Sequence, residues 1–400
     1  MPLNYQEARE QVRKLGEDAP ARALRLRELR QKAHQYLETH ALELDFLRKK
    51  VERVIELYEP SIRCALPVNE ALDATFPTPS VPARATLLAA DGSQIASDRH
   101  LPVEYCLINT GAVRMQYGVT EPPMVTSESR LFYGESIDTP SGKLTDARLA
   151  LMRDLQERKM LVRLAEEAVP PVITFTDGPM ELWGSVEAEI NTDFKHSLDE
   201  YLKVLSRLCE QNVATAGYVD KPSASPVTRL LEIGMMDDEG LKNIKMNHPL
   251  RGVTDLDLFR SRLAPGERSA VFAVQSKSAK EYRGVLALHF YYLNVGRPGH
   301  PSLARVEVPA WVADDPEQMG RLHACLIDQC QVMGNTPYPY LLHRAHETAL
   351  VTFVEKNSLT DMIVLELLQR GVEVGEASDK QAAKDLGGRT AYSRGGKSRA

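Results

Sequence analysis

The sequence lacks most of the marks that assign a chain at sight. Its 400 residues hold five cysteines, Cys64, Cys106, Cys209, Cys325 and Cys330, with no Cys-x-x-Cys. This odd, scattered set argues against a disulfide framework and a cysteine-rich zinc site, and suits buried thiols in a reducing compartment. No stretch approaches the ~18 consecutive apolar residues of a membrane span, and no apolar signal core opens the chain. A cytoplasmic protein is therefore expected. No Gly-x-x-x-x-Gly-Lys-Ser/Thr precedes a helix; Gly395-Gly396-Lys397-Ser398 lies in a tail with no strand before it. The chain thus has no ATPase signature of its own. Gly-x-Gly-x-x-Gly, Gly-x-Ser-x-Gly and His-Glu-x-x-His are also missing, which leaves dinucleotide binding, α/β-hydrolase chemistry and zinc proteolysis without footing. The net charge is −6, so any contact with nucleic acid must rest on a local patch.

What is present is an ordinary globular composition, 43% hydrophobic and 26% charged, enough to bury a core in one large domain with additions or in two. Residues 1–59 read as a helical arm. Its first segment ends near Gly16, and Asp18-Ala19-Pro20 looks like a new start. Leu26, Leu29, Ala33 and Tyr36 form an apolar stripe that slips at His40 and resumes at Leu44, Leu47, Val51, Val54 and Tyr58. The stripe either packs on its own domain or meets a second chain. Residues 60–84, with Pro67, Pro77, Pro79 and Pro82, read as a linker, 85–372 as the main domain, and 373–400 as a disordered basic tail.

Within the main domain, Thr86–Ala90, Glu104–Val113 and Ser129–Ile137 read as antiparallel strands. Strands at Val172–Thr176 and Val213–Val219 alternate with helices at Lys143–Val169 and Asp193–Glu210. This order predicts a mixed α/β sheet flanked by helices. Ligands of such sheets sit off the carboxyl ends of strands. Two apolar runs end there in Asp-Gly: Leu88-Ala89-Ala90-Asp91-Gly92-Ser93 and Val172-Ile173-Thr174-Phe175-Thr176-Asp177-Gly178. Asp-Gly is also a common turn dipeptide, but two aspartates on strand tips can hold a hard divalent cation against a phosphate.

Phosphodiester hydrolysis needs an activated water and a stabilised leaving oxygen, which two divalent ions roughly 3.5–4 Å apart supply. Mg²⁺ or Mn²⁺ would take oxygen-rich ligands with an occasional imidazole. Asp91 and Asp177 are the first two candidates. Glu157, between Arg153 and Arg158 on the helix before the Asp177 strand, is the third, with Asp154 as its rival. The fourth lies within Tyr338–His346, where His343 and His346 share a helix face. Lys221, after a strand, could hold a phosphate, or be an ordinary surface lysine.

Ala90-Asp91-Gly92-Ser93, Thr176-Asp177-Gly178 and Tyr338-Pro339-Tyr340 leading to Ala345-His346-Glu347 together resemble the NurA nuclease family over about residues 85–355. The resemblance implies a ribonuclease H-like core, manganese-dependent 5′-to-3′ exonuclease and single-strand endonuclease activity, and a homodimer working with the hexameric ATPase HerA in DNA end resection. It implies Asp91, Glu157, Asp177 and His346 as metal ligands and Tyr338 as an active-site tyrosine. Lys221 sits where the family often has a lysine after a strand, but Gly217–Asp220 before it departs from an alignable pattern. Two other functions remain: a catalytically silent DNA-end clamp that stimulates a translocase, and a phosphodiesterase for RNA or small nucleotides.

Overall fold

The computed structural model describes residues 4–139, 142–182 and 192–375. The N-terminal segment is helical: α1 (Tyr5–Thr39) and α2 (Leu44–Leu57). α1 does not restart at Asp18 but runs through Gly16 and Pro20. Pro20 removes only the bond to the Gly16 carbonyl, and this exposed stretch lets water take that carbonyl instead. The true break falls at His40–Glu43, where the apolar period slips.

The expected linker 60–84 is also corrected. β1 (Cys64–Pro67) and β2 (Thr75–Phe76) join the main sheet. β1 is an edge strand, where Pro67 costs no interior hydrogen bond. Then come β3 (Ala85–Ile95), β4 (Cys106–Tyr117) and β5 (Met124–Phe132), an antiparallel meander. A small hairpin, β6 (Asp138–Thr139) and β7 (Gly142–Lys143), leads to α3 (Asp146–Glu166), capped by the Thr145 hydroxyl. β8 (Val172–Asp177), α4 (Thr192–Glu210) and β9 (Ala214–Asp220) follow.

The region from Met235 to Pro265 holds two short helices. The order there is α5 (Pro226–Met235), α6 (Asp238–Lys242) and α7 (Asp255–Phe259). Next are β10 (Arg268–Ser269), β11 (Phe272–Gln275), β12 (Leu288–Asn294) and β13 (Leu303–Pro309). The described chain closes with α8 (Ala310–Ala313), α9 (Pro316–Val332), α10 (Tyr340–Ala349) and α11 (Phe353–Gln369). Of the expected tail, residues 376–400 lie outside the described residues.

The main sheet runs β1-β11-β12-β13-β9-β8-β3-β4-β5, with β10 joining β12 to β2. β3, β8 and β9 are parallel, linked by the crossover helices α3 and α4. A meander followed by two parallel crossover strands is the ribonuclease H-like arrangement expected of the domain. On one face Leu88 and Ala90 pack with Leu161, Leu164, Val204 and Leu205 of α3 and α4. On the other, Leu87, Ala89, Ile173 and Phe175 pack with Leu322 and Leu326 of α9 and Leu341 and Ala345 of α10.

A third cluster joins Leu37, Leu47, Val51 and Val54 to Leu230, Leu231, Phe272 and Phe290. Leu26, Leu29, Ala33 and Tyr36 belong to the same cluster, so both halves of the N-terminal stripe pack on its own domain. Val12, Leu15 and Leu24, earlier on α1 and outside the stripe, are exposed. No helix among the described residues is long and apolar enough to cross a membrane.

Candidate active site

β3 and β8 run side by side only as far as Ala90 and Thr176. β8 stops one residue later, at Asp177, while β3 continues to Ile95 on its bonds to β4. Beyond Ala90 one side of β3 is therefore open. The opening is a cavity of about 420 Å³ whose wall includes Asp91, Asp154, Glu157, Asp177 and His346. The expectation that Asp91 crowns a strand tip is corrected: it lies inside a long strand, beside the point where its neighbour ends.

Strand alternation then divides the motif between two faces. Asp91 follows Leu87 and Ala89 towards α10, and Gly92 follows Leu88 and Ala90 towards α3. A β-carbon on Gly92 would lie 2.6 Å from Cγ of Arg153 and 2.7 Å from Oε1 of Glu157. The glycine is needed for close approach, because it lets the Glu157 carboxylate press against the strand. Gly111, paired with Asp91 across the sheet, does the same for the other face: its β-carbon would lie 2.5 Å from the Ala349 amide nitrogen. Ser93 completes the motif by donating to the Ala349 carbonyl, which also accepts from Asn109 Nδ2 at 2.8 Å. These bonds fix the end of the helix that carries His346.

The two glycines predict different failures. Gly92→Ala meets Cγ of Arg153, near the root of that side chain, as well as the Glu157 carboxylate, so both side chains must shift. On the expectation of phosphodiester hydrolysis, moving that carboxylate by ~1 Å should slow cleavage about 10²-fold in single-turnover assays. The thermal midpoint should fall as well, but by less than for Gly111→Ala. Gly111→Ala meets backbone and should cost about 1–3 kcal/mol in a denaturant titration, as overpacking does.

Asp91 accepts the Gly92 N–H at 2.8 Å on one oxygen and faces His346 Nδ1 at 2.7 Å with the other. An ionised carboxylate can only accept, so Nδ1 is the donor of this pair, and in the neutral imidazole that tautomer leaves the Nε2 lone pair for a ligand. Tyr338 donates to Asp177 at 3.0 Å, with its ring edge-on to Tyr218 at 5.5 Å. Glu157 is 6% exposed, and Arg153 Nε stands 3.5 Å from it while binding Asp154 at 2.8 Å through Nη2. Burial, reinforced by Asp154 and Asp91, pushes Glu157 well above the usual carboxylate range against the pull of Arg158 and Arg153. Burial and then Asp91 raise Asp177, opposed by the Tyr338 hydrogen bond. Burial and Asp177 together raise the Tyr338 phenol.

The cavity thus gathers carboxylates whose ionised forms are crowded and underhydrated, with one imidazole beside them. That donor set suits a hard divalent cation, which would relieve the crowding. Among the described residues no three such side chains already converge in ligating geometry. Asp91, Asp177 and Glu157 are held instead by His346, Tyr338 and Arg153. Asp91, Asp177, Glu157 and His346 are the residues that could hold an ion. Asp154 also reaches the wall, but is less buried than Glu157 and engaged by Arg153.

Lys221 is not on this wall; it is exposed just past β9, in left-handed backbone at φ 45°. His343 is also off the wall, 3.4 Å from Glu347. Two wall residues went unnoticed in the sequence. Glu181 is buried and held by Arg63, Ser276 and Ser278, and Tyr201 comes from α4. Neither lies in a motif that would have marked it.

The NurA domain model matches residues 85–351, more than half of the chain. The chain belongs to the NurA family of nucleases. The match begins at β3 and ends just after α10, so it spans every element that lines the cavity. The fold is similar to the NurA nuclease of Sulfolobus solfataricus, at TM-score 0.48 and 10% identity over 74% of this chain and 88% of that one. A second NurA structure aligns at TM-score 0.37 and 9% identity over 84% and 97%. The catalytic domain of human endonuclease V aligns at 0.31 and 15% over 81% and 98%. No curated protein matches the chain by sequence.

Proposed function

We propose that this NurA-family chain is a metal-dependent deoxyribonuclease, with 5′-to-3′ exonuclease and single-strand endonuclease activity. The observation that carries the reading is the cavity beside the open flank of β3. There Asp91, Asp177, Glu157 and His346, drawn from four elements, line one space. Mn²⁺ or Mg²⁺, as two ions, would acidify a water and stabilise the departing oxygen. Asp91 and Asp177 offer their carboxylates from adjacent strands, and Glu157 faces them across Gly92. His346, held by Asp91, presents Nε2. Tyr338 orients Asp177. Lys221, exposed just past β9 and off the cavity wall, would meet the DNA strand outside the cavity rather than in it.

The same reading includes a homodimer and a HerA-type hexameric ATPase as partner in DNA end processing. Three observations support it: the family, the missing ATP-binding motif, and the exposed apolar residues Val12, Leu15 and Leu24 on α1. The test is purified protein with end-labelled single-stranded and duplex DNA. Cleavage is expected with Mn²⁺ and none with EDTA, and a 5′ label should leave duplex ends first. Cleavage that survives EDTA removes the metal mechanism. A wild type that binds DNA and stimulates the ATPase without cutting is the silent clamp, and preferential digestion of RNA points to the other phosphodiesterase.

A further inference from the structure

The wall of the cavity holds a charge that no carboxylate meets at ion-pair distance among the described residues, although Glu157 and Asp154 act on it from farther off. Arg158 follows Glu157 on α3 and turns towards α4, with 5% of its surface exposed. A guanidinium withdrawn from water is costly unless it is paired. Among the described residues Arg158 makes no ion pair, and its Nη1 has no hydrogen-bond partner. Its Nε donates to the Tyr201 hydroxyl at 3.3 Å, and the guanidinium carbon lies 5.8 Å from the centre of the Tyr201 ring. That hydroxyl donates in turn to the Met180 carbonyl at 2.7 Å. Tyr201 therefore fixes the guanidinium without neutralising it.

The wall carries five carboxylates, Asp91, Asp154, Glu157, Asp177 and Glu181, and two cations, Arg153 and Arg158. Arg153 is committed to Asp154 and Glu157. Without bound ions, a polyanion entering this space meets strong repulsion unless a side chain on the wall answers its charge. The group able to do so is Arg158, whose planar fork matches phosphate oxygens.

We propose that Arg158, backed by Tyr201, is the subsite for the DNA phosphate next to the scissile one. This rests on the nuclease reading above. The experiment replaces one backbone phosphate at a time by a neutral methylphosphonate along a single-stranded oligonucleotide. Each substrate is read twice: as Kd in EDTA, and as KM and kcat in Mn²⁺. In the wild type, one linkage beside the cut should raise Kd and KM roughly 10- to 100-fold, the weight of a charge-assisted hydrogen bond. In Arg158→Met the unmodified oligonucleotide should already bind that much more weakly. The methylphosphonate there should then add less than about 2-fold, as expected when both changes remove one contact. Arg158→Lys keeps the charge without the fork and should recover part of the loss. If Arg158→Met does not fold, Tyr201→Phe, which frees the guanidinium without deleting it, should shrink the penalty at that same linkage. Equal penalties at every linkage in wild type and folded variants overturn the subsite. A wild type that never cuts DNA overturns the nuclease reading, while the EDTA measurements still decide Arg158.

Discussion

On the proposed metal mechanism, Asp91→Asn should slow Mn²⁺-dependent DNA cleavage by about 10³-fold or more, because a metal-held water and leaving oxygen would carry several kcal/mol of the barrier reduction. The size of the effect follows from the position of Asp91. It lies where β8 has ended, it faces His346 at 2.7 Å, and its charge raises the carboxyls of both Asp177 and Glu157. Asparagine keeps the shape and can still accept the Gly92 N–H. The fold should therefore survive, with a thermal midpoint within a few degrees of wild type. DNA affinity in EDTA should hold or improve, since one negative charge leaves a wall that faces phosphates. The decisive measurement is a single-turnover rate beside a binding isotherm on the same preparation. A variant that cuts at a wild-type rate removes Asp91 from the chemistry.

Glu157→Gln should abolish cleavage to a similar degree and yet stabilise the protein at neutral pH. The sign follows from the raised pKa. The unfolded carboxyl ionises near its ordinary value of about 4.3, while the folded one holds its proton to higher pH. Between those two values the native state binds more protons than the unfolded state, so stability falls as pH rises. Above the folded value the deficit is complete. Asp177 adds a slope of the same sign. Glutamine carries no charge to bury, so the variant should lose Glu157's share of the slope and melt higher than wild type at pH 7, by about 2 °C for each kcal/mol relieved. With Glu157 as a ligand, as proposed, Mn²⁺ should reverse the ranking, stabilising the wild type more because the full ligand set would bind the ion more tightly. Thermal midpoints at pH 5 and pH 7, with and without Mn²⁺, check both statements. A lower midpoint for the variant at pH 7 would mean that Glu157 supports the fold through Arg153 and Arg158.

Some of this architecture was readable early because local pattern and tertiary environment agree. Thr86–Ala90 and Val172–Thr176 carry only apolar residues and threonine, are buried on both faces as parallel strands must be, and both are strands. Other features depended on distant partners. β1 and β2 look like proline-rich loop because the residues they pair with, in β11 and β10, lie about two hundred positions away. β3 passes through Asp91-Gly92 because β4 supplies hydrogen bonds to Ile95, which a turn-forming dipeptide does not announce. Pro20 breaks no helix where water can satisfy the freed carbonyl. Asp154 and Glu157 are three residues apart on one helix and cannot be separated by spacing. Burial against Gly92 separates them.

Chemistry-bearing residue types, and the runs of apolar neighbours that suspend them in a sheet, are written locally. Asp91 and Asp177 could therefore be put forward as candidates before any fold was known, while His346 was separated from His343 only by the family resemblance. The depth of Glu157, the unpaired charge of Arg158 and the removal of Lys221 from the cavity wall depend on where β8 stops and how closely α3 and α10 approach β3. Those approaches are governed by long-range packing through Gly92 and Gly111, whose missing side chains acquire meaning once the opposing helices are in place.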